Sequence, residues 1–101
     1  MKFGLSDHEY QILNKLVIEP LKKQGLKVYV FGSRAKGKHH PFSDIDIMYV
    51  NEDLKNVSSK VISEIKESAE ESSFPIKVDL VNWDDLANSY KSSALADRIL
   101  V

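Results

Sequence analysis

Two short segments of β-branched and apolar residues, with a helical segment between them, constrain this fold most. The first segment is Asp44 to Val50 (DIDIMYV), and the second is Ile76 to Val81 (IKVDLV). Between them, residues from about Asp53 to Glu71 have the apolar spacing of an amphipathic helix. A crossover of this length normally joins two parallel strands with right-handed topology. We therefore expect the two strands to lie side by side in an α/β fold.

The remaining chain supplies further helices and one more strand. Ser6 to Glu9 has the pattern of a capping box, and Pro20 should kink or divide the helix that it opens. Lys27 to Phe31 (KVYVF) predicts a strand, and Arg34 to Gly37 a short helical turn. Asn82 can cap a last helical region. The apolar residues of that region are Leu86, Tyr90, Leu95 and Ile99.

These elements predict one α/β domain over residues 1–101, with a small mixed sheet of about three strands flanked by helices. The chain has 101 residues, 43% of them hydrophobic and 29% charged, which is ordinary for a soluble globular protein. Its apolar runs are too short to cross a bilayer, and its N-terminus lacks the apolar block of a secretory signal. The absence of cysteine fits an intracellular, cytoplasmic location.

Three aspartates are the candidate metal ligands. Asp44 and Asp46 are two residues apart in one strand, so their carboxylates project from the same face. Two adjacent carboxylates repel each other unless a cation lies between them, and Mg2+ prefers oxygen ligands. Asp79 lies on the face of its strand opposite to Val78 and Leu80, so it can join the same site and serve as general base.

A glycine and serine pair after the first strand is the candidate phosphate-binding turn. Gly32 and Ser33 fall where that strand ends, and their backbone N–H groups can face an anion. Lys22 to His40 contains six Lys or Arg residues and no acid, although the net charge of the chain is only −1. We expect Arg34 and Lys36 to contact a triphosphate, with solvated surface the alternative for Arg34. Nonspecific binding of nucleic acid is not expected.

The motif resembles the minimal nucleotidyltransferases of the DNA polymerase beta superfamily, whose signature is Gly-Ser, ten residues, and Asp-x-Asp. Here Gly32-Ser33 is followed by ten residues and then by Asp44-Ile45-Asp46. The resemblance implies that Ser33 contacts the triphosphate of ATP, that Asp44 and Asp46 bind two Mg2+ ions, and that Asp79 completes the metal site and activates the acceptor. Lys36 stands where the family commonly has Arg, so its phosphate contact would be less strict in geometry.

Members of this minimal type are often paired with a HEPN-domain ribonuclease toxin. The resemblance therefore implies transfer of AMP from ATP to a tyrosine of a HEPN toxin, by an antitoxin that forms a hetero-oligomer or a homo-oligomer. Transfer to a small hydroxylated molecule such as an aminoglycoside, and neutralisation of a toxin by binding alone, are the alternatives. An adaptor role without nucleotide binding has the least support.

Several other residues invite a functional interpretation but favour a structural one. His39 and His40 are expected at a solvated loop tip rather than in a metal site. Tyr10, Trp83 and Tyr90 are expected to pack rather than to stack on a base. Phe42 stays open between these two roles, because its loop borders the predicted site.

Overall fold

The computed structural model describes residues 2–54 and 56–101 as an α/β fold around a four-stranded mixed sheet, one strand more than expected. The strand order is β3-β2-β1-β4. The strands are β1 (Lys27–Phe31), β2 (Ile45–Val50), β3 (Val78–Asn82) and β4 (Ile99–Leu100). The α-helices are α1 (Asp7–Leu13), α2 (Glu19–Lys23), α3 (Ser33–Lys36), α4 (Ser59–Glu71) and α5 (Asn88–Asp97).

The predicted crossover is confirmed. Strands β2 and β3 are parallel neighbours, and α4 lies between them in the chain. Strand β1 pairs with β2 in antiparallel orientation, and β4 pairs with β1 in the same way. The sheet is mixed because β1 and β2 are joined by a short helix and a loop that reverse the chain.

The two faces of the sheet have different partners. Alternate residues such as Val30, Ile47 and Leu80 point to the main core, which α1, α2 and α4 close. The opposite face carries a smaller buried group of Tyr29, Met48 and Ala94, the last contributed by α5. Because side chains alternate along each strand, the aspartates lie on this second, less covered face.

The N-terminal helical region is divided at Pro20, as expected. Ser6 accepts from the backbone N–H of Glu9, whose side chain accepts from the N–H of Ser6, so the capping box is present. Before Pro20 the helix widens into a π-helical stretch, Asn14–Ile18, since proline cannot continue the α-helical hydrogen bonding.

Helix α4 is shorter than expected, and its predicted start near Asp53 is wrong. Ser58 caps the helix by accepting from the N–H of Lys60. Leu54 has a φ of 49° and is largely exposed, so it belongs to a turn and not to the apolar stripe. Lys55, which falls within the predicted helix, lies outside the described residues.

The C-terminal part also differs from expectation. Strand β3 begins at Val78 rather than at Ile76. Asn82 caps a short 3-10 turn, and α5 begins six residues later, at Asn88. Ile99 was expected on the last helix but lies in β4, opposite Val30 of β1. A pairing with a strand nearly seventy residues away leaves no signal in the local sequence. The helical spacing of Ile99 therefore predicted the wrong element.

No helix in residues 2–54 and 56–101 combines the length and apolar character that crossing a bilayer requires.

We predict that Ile47→Ala lowers the free energy of unfolding by about 2 to 5 kcal/mol, because it leaves a cavity in the central strand. Ile47 is fully buried. The matched control is Leu54→Ala, which removes an exposed side chain and should change stability by no more than about 0.5 kcal/mol. Urea denaturation of both variants measures the difference. Similar losses in both would contradict this account of the core.

Candidate active site

Three neighbouring strands place one aromatic ring and two carboxylates in a row. Phe31 of β1 is the register partner of Asp46 in β2, and Asp46 is the partner of Asp79 in β3. Register partners in adjacent strands point to the same face, so the Asp46 and Asp79 side chains are direct neighbours. The sheet register thus brings together two acids that are 33 residues apart in the chain.

Burial and the neighbouring acids change the titration of Asp46. Its pKa is raised from 3.8 to about 6, first by burial and then by the negative charges of Asp79 and Asp44. Each of these effects disfavours the ionised carboxylate. A divalent cation beside Asp46 would counter all three, which is why this donor set fits an oxygen-preferring metal.

Asp44 contributes charge from a more exposed position. It precedes β2 by one residue and lies in solvent, whereas Asp46 is partly buried. Among the residues that the structure describes, no three His, Cys, Asp or Glu side chains are arranged to hold one metal ion. The structure therefore brings Asp46 and Asp79 together and places Asp44 next to them, without forming a closed set of three ligands.

Gly32 lies against the Asp46 carboxylate. Its φ is 77°, a conformation that residues with a side chain rarely adopt. A Cβ at this position would also overlap the Oδ2 atom of Asp46. The glycine of the predicted turn is thus required by backbone conformation and by close approach, and Ser33 follows it as the first residue of α3.

Arg34 occupies a different environment from the one expected. Its side chain is only 2% exposed and donates three hydrogen bonds to backbone carbonyls rather than projecting toward a ligand. The acceptors are the carbonyl oxygens of Ser43 (3.0 Å from Nε), Phe3 (2.8 Å from Nη1) and Pro41 (3.3 Å from Nη2). The expected phosphate contact is therefore revised, because Arg34 fixes the loop that leads into Asp44.

Lys36 is held by the last helix. Its Nζ lies 3.1 Å from the Oδ2 of Asp97, the last residue of α5. The next residue, Arg98, stacks on Tyr29, with 4.1 Å from its guanidinium carbon to the ring centroid. Neither Asp97 nor Arg98 was predicted from the sequence. The available signal was the acid Asp97 at the C-terminal end of a helix, where the helix dipole disfavours a negative charge.

The remaining candidates divide between surface and core. Phe42 is 89% exposed, which excludes a packing role within the described chain. Trp83 packs partly against the second face of the sheet, as expected, whereas the expectation that Tyr90 packs is wrong, since it is largely exposed. His40 is exposed as expected, but His39 is partly buried and its ring lies against Gly4.

Comparison with known proteins identifies the family and the fold. Residues 11–101 match the family described as "Nucleotidyltransferase domain". The chain belongs to this nucleotidyltransferase family. The Gly-Ser turn, the Asp-x-Asp pair and Asp79 all lie within the matched residues.

This nucleotidyltransferase also resembles a named bacterial protein. It is 33% identical over 64 residues to "Probable protein adenylyltransferase MntA" of Haemophilus influenzae. The matched region is 63% of this chain and 54% of that protein, so the chain spans about half the length of this curated relative.

Two solved structures share the fold. A toxin-antitoxin crystal structure with AMP-PNP matches 86% of this chain and 70% of its own, with a TM-score of 0.64 and 22% identity. A mutant of the toxin-antitoxin MntA-HpeT matches 91% of this chain and 70% of its own, with a TM-score of 0.62 and 20% identity. At these identities the likeness establishes the fold of the nucleotidyltransferase.

We predict that Gly32→Ala impairs both stability and nucleotide transfer, because the new methyl group displaces the Asp46 carboxylate and the backbone is strained. Gly37→Ala is the matched control, since Gly37 has a φ of 72° but no atom within 4 Å of the added Cβ. We expect the control to lose about 1 kcal/mol of stability from backbone strain alone, and to keep its transfer activity. Urea denaturation and a transfer assay with labelled ATP measure both effects. Equal effects in the two variants would show that Gly32 has no special contact with Asp46.

We also predict that Asp46→Asn stabilises the metal-free protein at pH 7.5 but not at pH 3.5. The folded protein raises the pKa of Asp46 from 3.8 to about 6, so ionisation disfavours the folded state. This penalty is absent below about pH 4, grows as the pH rises through about 6, and is complete above it. We expect a gain of about 1 kcal/mol at pH 7.5, discounted for partial exposure to solvent. Urea midpoints in EDTA provide the measurement, and a variant less stable than wild type at pH 7.5 would refute the assignment.

Proposed function

We propose that this chain transfers a nucleoside monophosphate, AMP from ATP, to a hydroxyl group of an acceptor, and that divalent metal is required. The observation that carries the proposal is the placement of Asp46 and Asp79 in direct register beside the Gly32-Ser33 turn. Carboxylates that hold metal next to a turn that binds phosphate are the parts that nucleotidyl transfer needs. Membership of the nucleotidyltransferase family supports the same reaction class.

In this proposal two Mg2+ ions would bind at the site. Their ligands would be Asp44, Asp46 and Asp79. Bound Mg2+ supplies charge that offsets the negative charge developing on the phosphate oxygens in the transition state. The chain itself provides the position of these ligands, since strands β2 and β3 fix Asp46 and Asp79 through backbone hydrogen bonds. Arg34 fixes the end of the loop before Asp44 by donating to the carbonyl oxygens of Pro41 and Ser43.

The chain's own residues then orient and activate the reactants. Ser33 and Lys36 bind the phosphate tail, Ser33 through its hydroxyl and its backbone N–H at the start of α3. Asp79, which is exposed, accepts the proton of the acceptor hydroxyl. The hydroxyl oxygen forms a bond to the α-phosphorus, the bond from that phosphorus to the bridging oxygen breaks, and pyrophosphate leaves with the electron pair.

The proposed acceptor is a tyrosine of a HEPN-type toxin, which makes the chain an antitoxin. Supporting this choice, the Haemophilus influenzae relative is named as a probable protein adenylyltransferase, and the two solved structures are toxin-antitoxin structures. The exposed site also suits a protein acceptor, because Asp44 and Asp79 are both accessible at the surface. A toxin that is modified on a tyrosine hydroxyl would be silenced while the antitoxin is released for another turnover.

We predict that Asp46→Asn reduces transfer of AMP at least a hundredfold while the protein stays folded. The substitution removes one negative charge from the metal site with little change in volume, and loss of such a ligand costs on the order of several kcal/mol of transition-state stabilisation. The assay measures label from α-phosphate-labelled ATP appearing on the toxin in the presence of Mg2+. The matched control is Glu67→Gln on the exposed surface of α4, which should transfer normally.

The same variant separates catalysis from inhibition by binding. If Asp46→Asn fails to transfer AMP and also fails to protect cells from the toxin, the enzymatic antitoxin is supported. Full protection by an inactive variant would instead show that the chain neutralises its partner by occlusion. Undiminished labelling of the toxin by the variant would exclude Asp46 from the chemistry.

A further inference from the structure

We propose that Asp97 restrains binding of nucleotides with a polyphosphate tail at this site, by competing with that tail for Lys36. The inference rests on the proposed function, in which Lys36 binds the phosphate tail. It assigns a role to a residue outside the sequence motif, on the last helix of the fold. The underlying observation is the 3.1 Å contact between the Lys36 Nζ and the Asp97 Oδ2.

The ion pair joins two elements that otherwise have little in common. Lys36 ends α3, the short helix that begins at Ser33, and Asp97 ends α5. Ala94 is the buried residue of α5, and the rest of that helix is largely exposed. The end of α5 is also held by Arg98, which stacks on Tyr29, and by β4, which pairs with β1. Asp97 therefore stays near the site when Lys36 leaves it.

Asp97 occupies a position where a negative charge is unfavourable by itself. The C-terminal end of a helix carries partial negative charge, so a carboxylate there is repelled unless a cation compensates. Lys36 is the cation that contacts it, and α5 has no basic residue in its last turn. The Asp97 carboxylate is disfavoured by the helix dipole and is paired with Lys36. An anionic ligand can therefore displace it from Lys36.

A triphosphate is a stronger competitor for Lys36 than a monophosphate. The lysine ammonium is a point charge on a flexible stem, and it exchanges one anion for another without a fixed geometry. Lys36 and Asp97 are both partly exposed, with side-chain exposures of 42% and 25%, so their attraction is weak and screened. The several charges of a polyphosphate can overcome it, whereas the single phosphate of AMP gains much less from doing so.

The test uses a double-mutant cycle on the full chain. Wild type, Asp97→Asn, Lys36→Ala and the double variant are titrated with ATP and with AMP by calorimetry in the presence of Mg2+. We expect Asp97→Asn to bind ATP about two- to fivefold more tightly, the size set by a partly exposed ion pair, and AMP unchanged. In the Lys36→Ala background the gain should disappear. Glu70→Gln, an exposed acid on α4, controls for the change in net charge.

A second probe separates this inference from the proposed function. Inorganic tripolyphosphate in magnesium-free buffer presents the tail without a base or a reaction, and Asp97→Asn should bind it more tightly than wild type. If tripolyphosphate shows the gain but no nucleotide binds, the competition stands and the proposed transferase activity fails. The opposite outcome is that wild type binds ATP, and that Asp97→Asn binds both ATP and tripolyphosphate no more tightly than wild type does. The competition is then wrong, and the transferase proposal is unaffected. A gain that persists in the Lys36→Ala background would reduce Asp97 to a general repulsive charge and overturn the role proposed for Lys36.

Discussion

The contact between the Gly32 backbone and the Asp46 carboxylate is the constraint on which the site depends. It requires a residue without a side chain directly after β1, beside Asp46 of β2, whose register partner is Phe31. The two halves of the sequence motif are therefore a single packed unit, since a methyl group on one displaces the other. Asp79 joins this unit because β3 pairs with β2 in parallel register.

Two polar features near this unit have opposite effects on folding. Arg34 stabilises the loop before Asp44, because its buried guanidinium donates to the carbonyl oxygens of Ser43 and Pro41 and ties them to Phe3 near the N-terminus. Asp46 disfavours folding when it is ionised, because burial and the neighbouring acids raise its pKa to about 6. Under the proposed function, a loop fixed by Arg34 and a carboxylate destabilised by its neighbours would suit a cation, because the ligands would already be in place before it binds.

Helix α5 extends the candidate site beyond the motif in the middle of the chain. It packs on the face of the sheet that carries the aspartates, and its last residue contacts Lys36, which follows the Gly32-Ser33 turn. One face of the sheet thus packs against α1, α2 and α4 in the main core. The other face carries a smaller buried group and the candidate site. This division explains why Asp44 and Asp79 are exposed although the opposite face of the sheet is well covered.

The sequence by itself determined the α/β class, the parallel crossover and the approach of Asp79 to Asp46, because these follow from local alternation and helical spacing. Only the tertiary structure decided the role of Arg34, the pairing of Ile99 with Val30 and the contact between Lys36 and Asp97. Each of these joins residues that are distant in the chain, so no periodicity or cap announces it. A cation in a basic segment looks the same in sequence whether it faces solvent, a phosphate or a carbonyl, and packing is what distinguishes these environments.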